Sequence, residues 1–301
     1  MSKYKYFVHG LKVASELELD AYCYDFDESD VEISLNDDVV LDKKVLFEDH
    51  VYSIGKDVVL EKVNKIGTFY SKEGKYINIK KESALEAQMV NFFIEGRGFA
   101  PILNQRGIMT LHGSVVGYKG IGLAILGDSG AGKSSLTMGF INDGASFLSD
   151  DLIGVYNEDG NVVIYQGLNC QKLGNRLINR YDVESLIKCQ VKYPGMKLEK
   201  YLIDHSSIIK LEPTELKAIV ILSKHKSPIE AWYPKGADKV RLIFENLYRK
   251  DYIDYFIPFE KQYEIIHRLV NNCKIISLKR ELGVESVNKQ LKVLKEMLDE
   301  Y

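Results

Sequence analysis

Gly127-Asp-Ser-Gly-Ala-Gly-Lys-Ser134 fits the pattern G-x-x-x-x-G-K-[ST], and its flanks supply the context that pattern needs. Gly122–Leu126 is a short apolar run of strand type, and Ser135–Ile141 opens a helical stripe through Leu136, Phe140 and Ile141. The reading is strand, glycine loop, helix. Glycines at 127, 130 and 132 let the backbone reach positive φ, so that successive N–H groups turn inward and cradle phosphate oxygens. Lys133 adds a cation for the outer phosphates, Ser134 offers a hydroxyl to Mg²⁺, and the helix N-terminus adds its partial positive charge. The expected ligand is a nucleotide polyphosphate. Its contact set is Gly127, Asp128, Ser129, Gly130, Ala131, Gly132, Lys133, Ser134 and Ser135.

Two features bracket the loop. After the breaker Asn142-Asp-Gly144, the run Leu148–Tyr156 places Asp150-Asp151 at the start of, or within, a second strand. Adjacent carboxylates on an extended chain point to opposite faces, so one can hold a metal while the other meets a reacting hydroxyl. Upstream, Thr110–Val116 runs through a hairpin turn at Tyr118-Lys-Gly120 into the loop's strand, which lays His112 beside the strand that ends at the phosphates.

The ordered set Leu111-His-Gly113, Gly127–Ser134, Gly144 and Asp150-Asp151 resembles the C-terminal catalytic domain of the HPr kinase/phosphorylase family. The same order of His, P-loop and Asp pair is similar to that of ATP-dependent phosphoenolpyruvate carboxykinases. The opening Tyr4–Glu16 and the C-terminal third resemble stand-alone bacterial HPr-kinase-like proteins, some of which phosphorylate a serine of a natural-product precursor peptide. The resemblance implies a catalytic set of Asp150, His112 and Lys133. Asp150 would be general base on the acceptor hydroxyl, Ser134 and Asp151 would hold Mg²⁺, and His112 would lie near the metal or γ-phosphate. ATP and Mg²⁺ are the implied cofactors, and homo-oligomeric assembly is a family trait. Two positions depart: Ser135 stands where HPr enzymes have Glu, and the later Leu-Glu-Ile-Arg-Gly type signature has no copy here. HPr as acceptor and the reverse reaction therefore do not carry over with the rest.

The chain has 301 residues, 46% hydrophobic and 28% charged, with a net charge of −3, which reads as globular. That balance gives no field argument for nucleic acid or a membrane surface as partner. Cys23, Cys170, Cys189 and Cys273 are scattered without a C-x-x-C pair, so neither zinc nor a disulfide framework is expected. No apolar leader or membrane-length run occurs, and the cytoplasm is the expected location.

The fold expected is α+β (α/β), a P-loop catalytic domain of HPr kinase/carboxykinase type on a mixed sheet, with a smaller β-rich N-terminal lobe. The division predicted is 1–82 for the lobe and 83–301 for the kinase domain. In the lobe, short β-type runs from Tyr4 to Ile79 suggest a small antiparallel sheet or sandwich, and its tyrosines read as core or as a peptide-binding surface. Leu85–Ile94 has helical spacing; Arg97 and Arg106 read as surface arginines or as side chains that reach a phosphate. Gln166–Asp204 has poor periodicity, and its Lys172, Arg176, Arg180, Lys197 and Lys200 read as an acceptor-facing surface or a solvated loop. Lys217–Leu222 reads as a buried strand, Arg241–Tyr248 and Ile265–Val270 as helices, Lys274–Leu278 as a strand, and Val284–Leu298 as a docking helix or subunit contact.

The function expected is an ATP- and Mg²⁺-dependent kinase acting on a Ser/Thr hydroxyl of a peptide or small protein. HPr kinase/phosphorylase proper, a nucleotide-sensing module, and a small-metabolite or carboxykinase-like enzyme are the competing readings.

Overall fold

The computed structural model describes residues 3–36, 45–82, 87–191, 199–226, 228–281 and 286–299. Leu85, Lys197 and Val284, singled out from the sequence, lie outside them. An eight-stranded mixed sheet carries the P-loop. Its organising strand is Met109–Tyr118. Through Gly113–Tyr118 this strand pairs antiparallel with the P-loop strand Ile121–Leu126. On its other edge it pairs with Ser146–Ser149 through Val115–Gly117 and with Leu152–Glu158 through Met109–His112. The P-loop strand also lies parallel to Thr214–His225, which in turn lies parallel to Lys274–Glu281.

These central strands are apolar on both faces because helices cover both. Leu123, Ile125, Val220 and Leu222 pack with Leu136 and Phe140 of the helix Lys133–Asn142 and with Leu294 of Val287–Asp299. Alternate residues Ala124, Leu126, Ile219 and Ile221 pack with Ile243, Ile266 and Leu269 of the helices Ala237–Glu245 and Phe259–Asn272. The last helix is a docking helix. A Cβ on Gly139 would lie 2.7 Å from Val287, so glycine lets it approach the P-loop helix closely.

The N-terminal strands form one nine-stranded sheet, and its topology departs from the antiparallel expectation. Leu11–Ser15 pairs parallel with Val31–Leu35, which pairs parallel with Tyr76–Lys81. The remaining pairings, from Gly67–Lys72 outward to Val45–Glu48, are antiparallel. Val8, Ile33, Phe69 and Ile77 of this sheet share a buried cluster with Phe93, Ile94, Phe99 and Ile102, and with Leu152 and Tyr248. The sheet is therefore packed onto the segment that precedes the central strand, and reaches the P-loop sheet through it. Tyr6, Tyr52 and Tyr70 are core, as strand aromatics usually are, whereas Tyr24 is exposed.

Gln166–Asp204, expected to be irregular, holds a small three-stranded sheet of Cys170–Gly174, Lys200–Asp204 and Ile187–Val191. Its first strand brings Lys172 to the carboxylate pair. No helix among the described residues is long and apolar enough to cross a membrane. All four cysteines are free.

Candidate active site

The P-loop leaves its strand at Gly127, whose φ of +135° and position 2.2 Å (as a built Cβ) from the Leu222 carbonyl oxygen admit no side chain. The helix then starts at Lys133 behind Gly132, at φ +112°. Two cations hold the loop's carbonyls. Lys133 Nζ donates to the Gly127 oxygen at 2.6 Å and the Asp128 oxygen at 3.3 Å. Arg280 Nη2 donates to the Gly130 oxygen at 3.1 Å, and its Nε donates to the Ala131 oxygen. With carbonyls turned to these cations, and the first N–H groups of the helix lacking intrahelical partners, the loop fits a phosphate.

Arg280 was not singled out from the sequence. It sits on the parallel strand Lys274–Glu281, and nothing local to it signals the loop. Replacing Arg280 with Ala is expected to weaken nucleotide binding about tenfold through loss of charge-assisted hydrogen bonds. Titration with a fluorescent nucleotide checks this; an unchanged Kd would show that the loop holds its form unaided.

The cavity beside the loop measures about 570 Å³ and receives Ser129, Gly130, Gly132, Lys133, Ser134 and Ser135. Gly127 and Asp128 line a neighbouring hollow with His112 and Tyr248 instead. Ala131 is buried, and its N–H goes to the Asp128 oxygen at 3.0 Å. Asp150, Asp151, His112 and Lys172 also line the main cavity.

The carboxylate pair does not lie on an extended chain. It forms the break between Ser146–Ser149 and Leu152–Glu158, with Ser149 Oγ donating to the Leu152 oxygen at 2.6 Å across the turn. Asp151 takes φ +75°, a conformation that Asp tolerates better than most residues. The pleat is lost, and both residues line one cavity. Their environments differ. Asp150 is 6% exposed; it accepts Ser114 Oγ–H at 2.5 Å and the Lys172 main-chain N–H at 3.0 Å. Burial, aided by the Asp151 charge, pushes its pKa up. Burial also works against the Asp151 charge. The Lys172 ammonium at 2.9 Å, with the Lys200 charge adding to it, outweighs that penalty and holds Asp151 well below the usual carboxylate range. Lys172 thus serves both carboxylates, one through its backbone and one through its side chain.

Burial lowers the pKa of His112 despite the Asp151 charge, and Lys133 lowers it further. A neutral ring satisfies both contacts: Nδ1–H donates to the Asp151 main-chain oxygen at 3.2 Å, and Nε2 accepts from Lys133 Nζ at 3.1 Å. Burial lowers the Lys133 pKa as well. Asn246–Tyr248 runs beside Thr110–His112, with His112 N–H bonded to the Asn246 oxygen and Tyr248 N–H to the Thr110 oxygen. That pairing sets Tyr248 and Arg249 at the cavity.

No group of three or more His, Cys, Asp or Glu among the described residues is arranged to hold a metal by itself. Mg²⁺ requires no such cluster, since one or two carboxylates, substrate phosphates and water complete its shell. Asp151, ionised, and the Ser134 hydroxyl in the same cavity fit that role. Of the basic residues between 166 and 204, Lys172 and Lys200 reach the cavity. Arg97 also reaches it, rather than lying on an open surface, whereas Arg106 bonds the Gly74 oxygen.

Residues 106–178 match the family model described as HPr Serine kinase C-terminal domain. That stretch is similar to the catalytic domain of HPr kinases. The HPr kinase/phosphorylase of Mycoplasma genitalium is 28% identical over 197 residues, covering 64% of this chain and 57% of that protein. That of Treponema pallidum is 37% identical over 71 residues, or 24% of this chain and 20% of the relative. The chain thus spans little more than half of the first relative and about a fifth of the second. The solved HPr(Ser) kinase/phosphatase of Coxiella burnetii aligns with 62% of the chain and 98% of its own, at 12% identity and a TM-score of 0.30.

Proposed function

We propose that this chain is an ATP- and Mg²⁺-dependent kinase that phosphorylates a Ser or Thr hydroxyl of a peptide or small protein. The observation that carries the reading is the split between adjacent carboxylates beside a P-loop: Asp150 is pushed toward the proton-accepting range and Asp151 is held ionised. Phosphoryl transfer asks for both, a base for the hydroxyl and an anion for the metal.

In this reading the loop N–H groups and Lys133 fix the outer phosphates, and Ser134 with Asp151 anchors Mg²⁺. The metal, when bound, offsets the charge that develops on phosphate oxygens. Asp150 takes the proton of the incoming hydroxyl, while Ser114 Oγ–H and the Lys172 N–H aim its carboxylate. Lys172 keeps Asp151 charged, and His112 stays neutral between Asp151 and Lys133. The exposed hydrophobic edge strand Val45–Glu48 of the N-terminal sheet offers backbone for an extended acceptor.

The test is transfer of γ-labelled phosphate from ATP with Mg²⁺ to HPr, to a panel of serine peptides including natural-product precursors, and to free serine. Label is expected on a polypeptide acceptor. Label on free serine alone would replace this reading with a small-metabolite kinase, and label on HPr alone would narrow it to an HPr kinase.

A further inference from the structure

Glu61 lies in the strand Val58–Val63 of the N-terminal sheet and is completely buried. Two arginines from other parts of the chain converge on its Oε1: Arg97 through Nη1, and Arg249 through Nη2 at 3.2 Å. Both arginines line the active-site cavity, with side chains 22% and 23% exposed. Each guanidinium presents its N–H donors in a planar fork. The arrangement braces the guanidinium groups from behind and turns them toward the cavity.

The backbone is specialised at both arginines. Arg97 sits in a π-helical turn, Glu95–Phe99, a rare form often found at functional sites. Gly96 within it approaches Tyr248 so closely that a Cβ would lie 2.0 Å from the phenol oxygen. Arg249 adopts φ +53°, a left-handed conformation that costs energy in a residue with a side chain, and lies over the Tyr248 ring at 5.6 Å. Phe92 and Phe93, stacked edge to face at 4.9 Å, complete this wall.

The P-loop, Lys133 and Arg280 already supply donors and charge for a nucleotide's phosphates. The arginine wall is built from separate segments of the chain. We infer that Arg97 and Arg249, braced by Glu61, form a second anion subsite that takes an oxyanion borne by the acceptor, a carboxylate or a phosphate near the hydroxyl to be phosphorylated. The subsite rests on the kinase reading for its role, and it makes acidic acceptors the preferred class. A planar fork matches such an oxyanion in two parallel hydrogen bonds.

Binding tests it without knowledge of the true acceptor. The full chain is saturated with a non-hydrolysable ATP analogue and Mg²⁺, then titrated calorimetrically with inorganic phosphate and, separately, with capped aspartyl amide and its asparagine counterpart. Wild type is expected to bind an oxyanion probe and not the asparagine compound. Arg97→Gln and Arg249→Gln should each weaken that binding about tenfold or more, with analogue affinity unchanged. Arg97→Lys keeps the charge on Glu61 and should weaken binding by less, which separates the lost fork from misfolding. Tighter binding of the aspartyl probe would mark an acidic acceptor segment, and tighter binding of phosphate a phosphorylated acceptor or free phosphate. A primed phosphopeptide against its unmodified form would separate those two sources. Oxyanion binding that is absent, or unmoved by these substitutions, overturns the subsite. Weakened analogue binding in the Gln variants would assign the arginines to the nucleotide and overturn it as well. Wild type that binds an oxyanion but no analogue would instead overturn the kinase reading and leave the subsite standing.

Discussion

Asp150→Asn is expected to cut phosphate transfer by about a hundred- to ten-thousandfold, the range for loss of a positioned general base. Nucleotide affinity should stay within about threefold. The amide preserves shape: its oxygen can accept the Lys172 N–H, and its NH₂ can donate to Ser114 Oγ, a hydroxyl free to turn. Steady-state transfer beside nucleotide titration checks both, and undiminished transfer would remove Asp150 from the mechanism. A pH profile should accompany it. Because burial raises the Asp150 pKa above its ordinary value of 3.8, the ionised base appears only at higher pH, and wild-type activity should fall on acidification sooner than a solvent carboxylate would dictate. Stability responds to pH with the opposite sign. A folded pKa above the unfolded one gives stability that is complete below 3.8 and is lost as pH rises through the folded value. Asp150→Asn should therefore melt above wild type at neutral pH, and the advantage should vanish near pH 4.

Lys133→Ala is expected to lower kcat/KM by about a hundred- to thousandfold, as loss of one preorganised donor to developing phosphate charge does. It should also weaken nucleotide binding, since Lys133 holds the Gly127 and Asp128 carbonyls as well as facing the cavity. A second readout follows from its contact with His112 Nε2. Burial chiefly depresses the His112 pKa and the Lys133 charge adds to that, so removing the ammonium should raise it. NMR titration of the imidazole reads this. A kcat/KM within about threefold of wild type would show that the loop backbone alone engages the phosphates.

The local parts of this design were legible in the sequence. The strand, glycine loop and helix at 121–142 carry their own signature, and so do the hairpin that delivers His112 and the apolar strand within Thr214–His225. Parallel pairing of Leu11–Ser15 with Val31–Leu35 and Tyr76–Lys81 was not legible, because partners so far apart leave no local mark. The geometry of the Asp pair is not legible: two residues that look like the start of a strand form a turn once Asp151 goes left-handed. Lys172 stood undistinguished among five basic residues because its strand lies in a segment without clear alternation. Arg97, Arg249 and Arg280 acquire their roles from tertiary partners, Glu61 for the first two and the loop carbonyls for the third.

The stretch matched to the family, 106–178, is not a portable cassette. Leu152, beside the Asp150-Asp151 turn, is buried with Val8 and Ile33 of the first sheet, and Glu61 of that sheet anchors two arginines of the cavity. Grafting the stretch onto another scaffold would carry the P-loop and both aspartates, yet leave behind Arg280, which holds the loop, and Arg97 and Arg249 of the cavity wall. Changes at this wall would then arise at Arg97, Arg249 or the distant Glu61 that braces them, all outside the matched stretch.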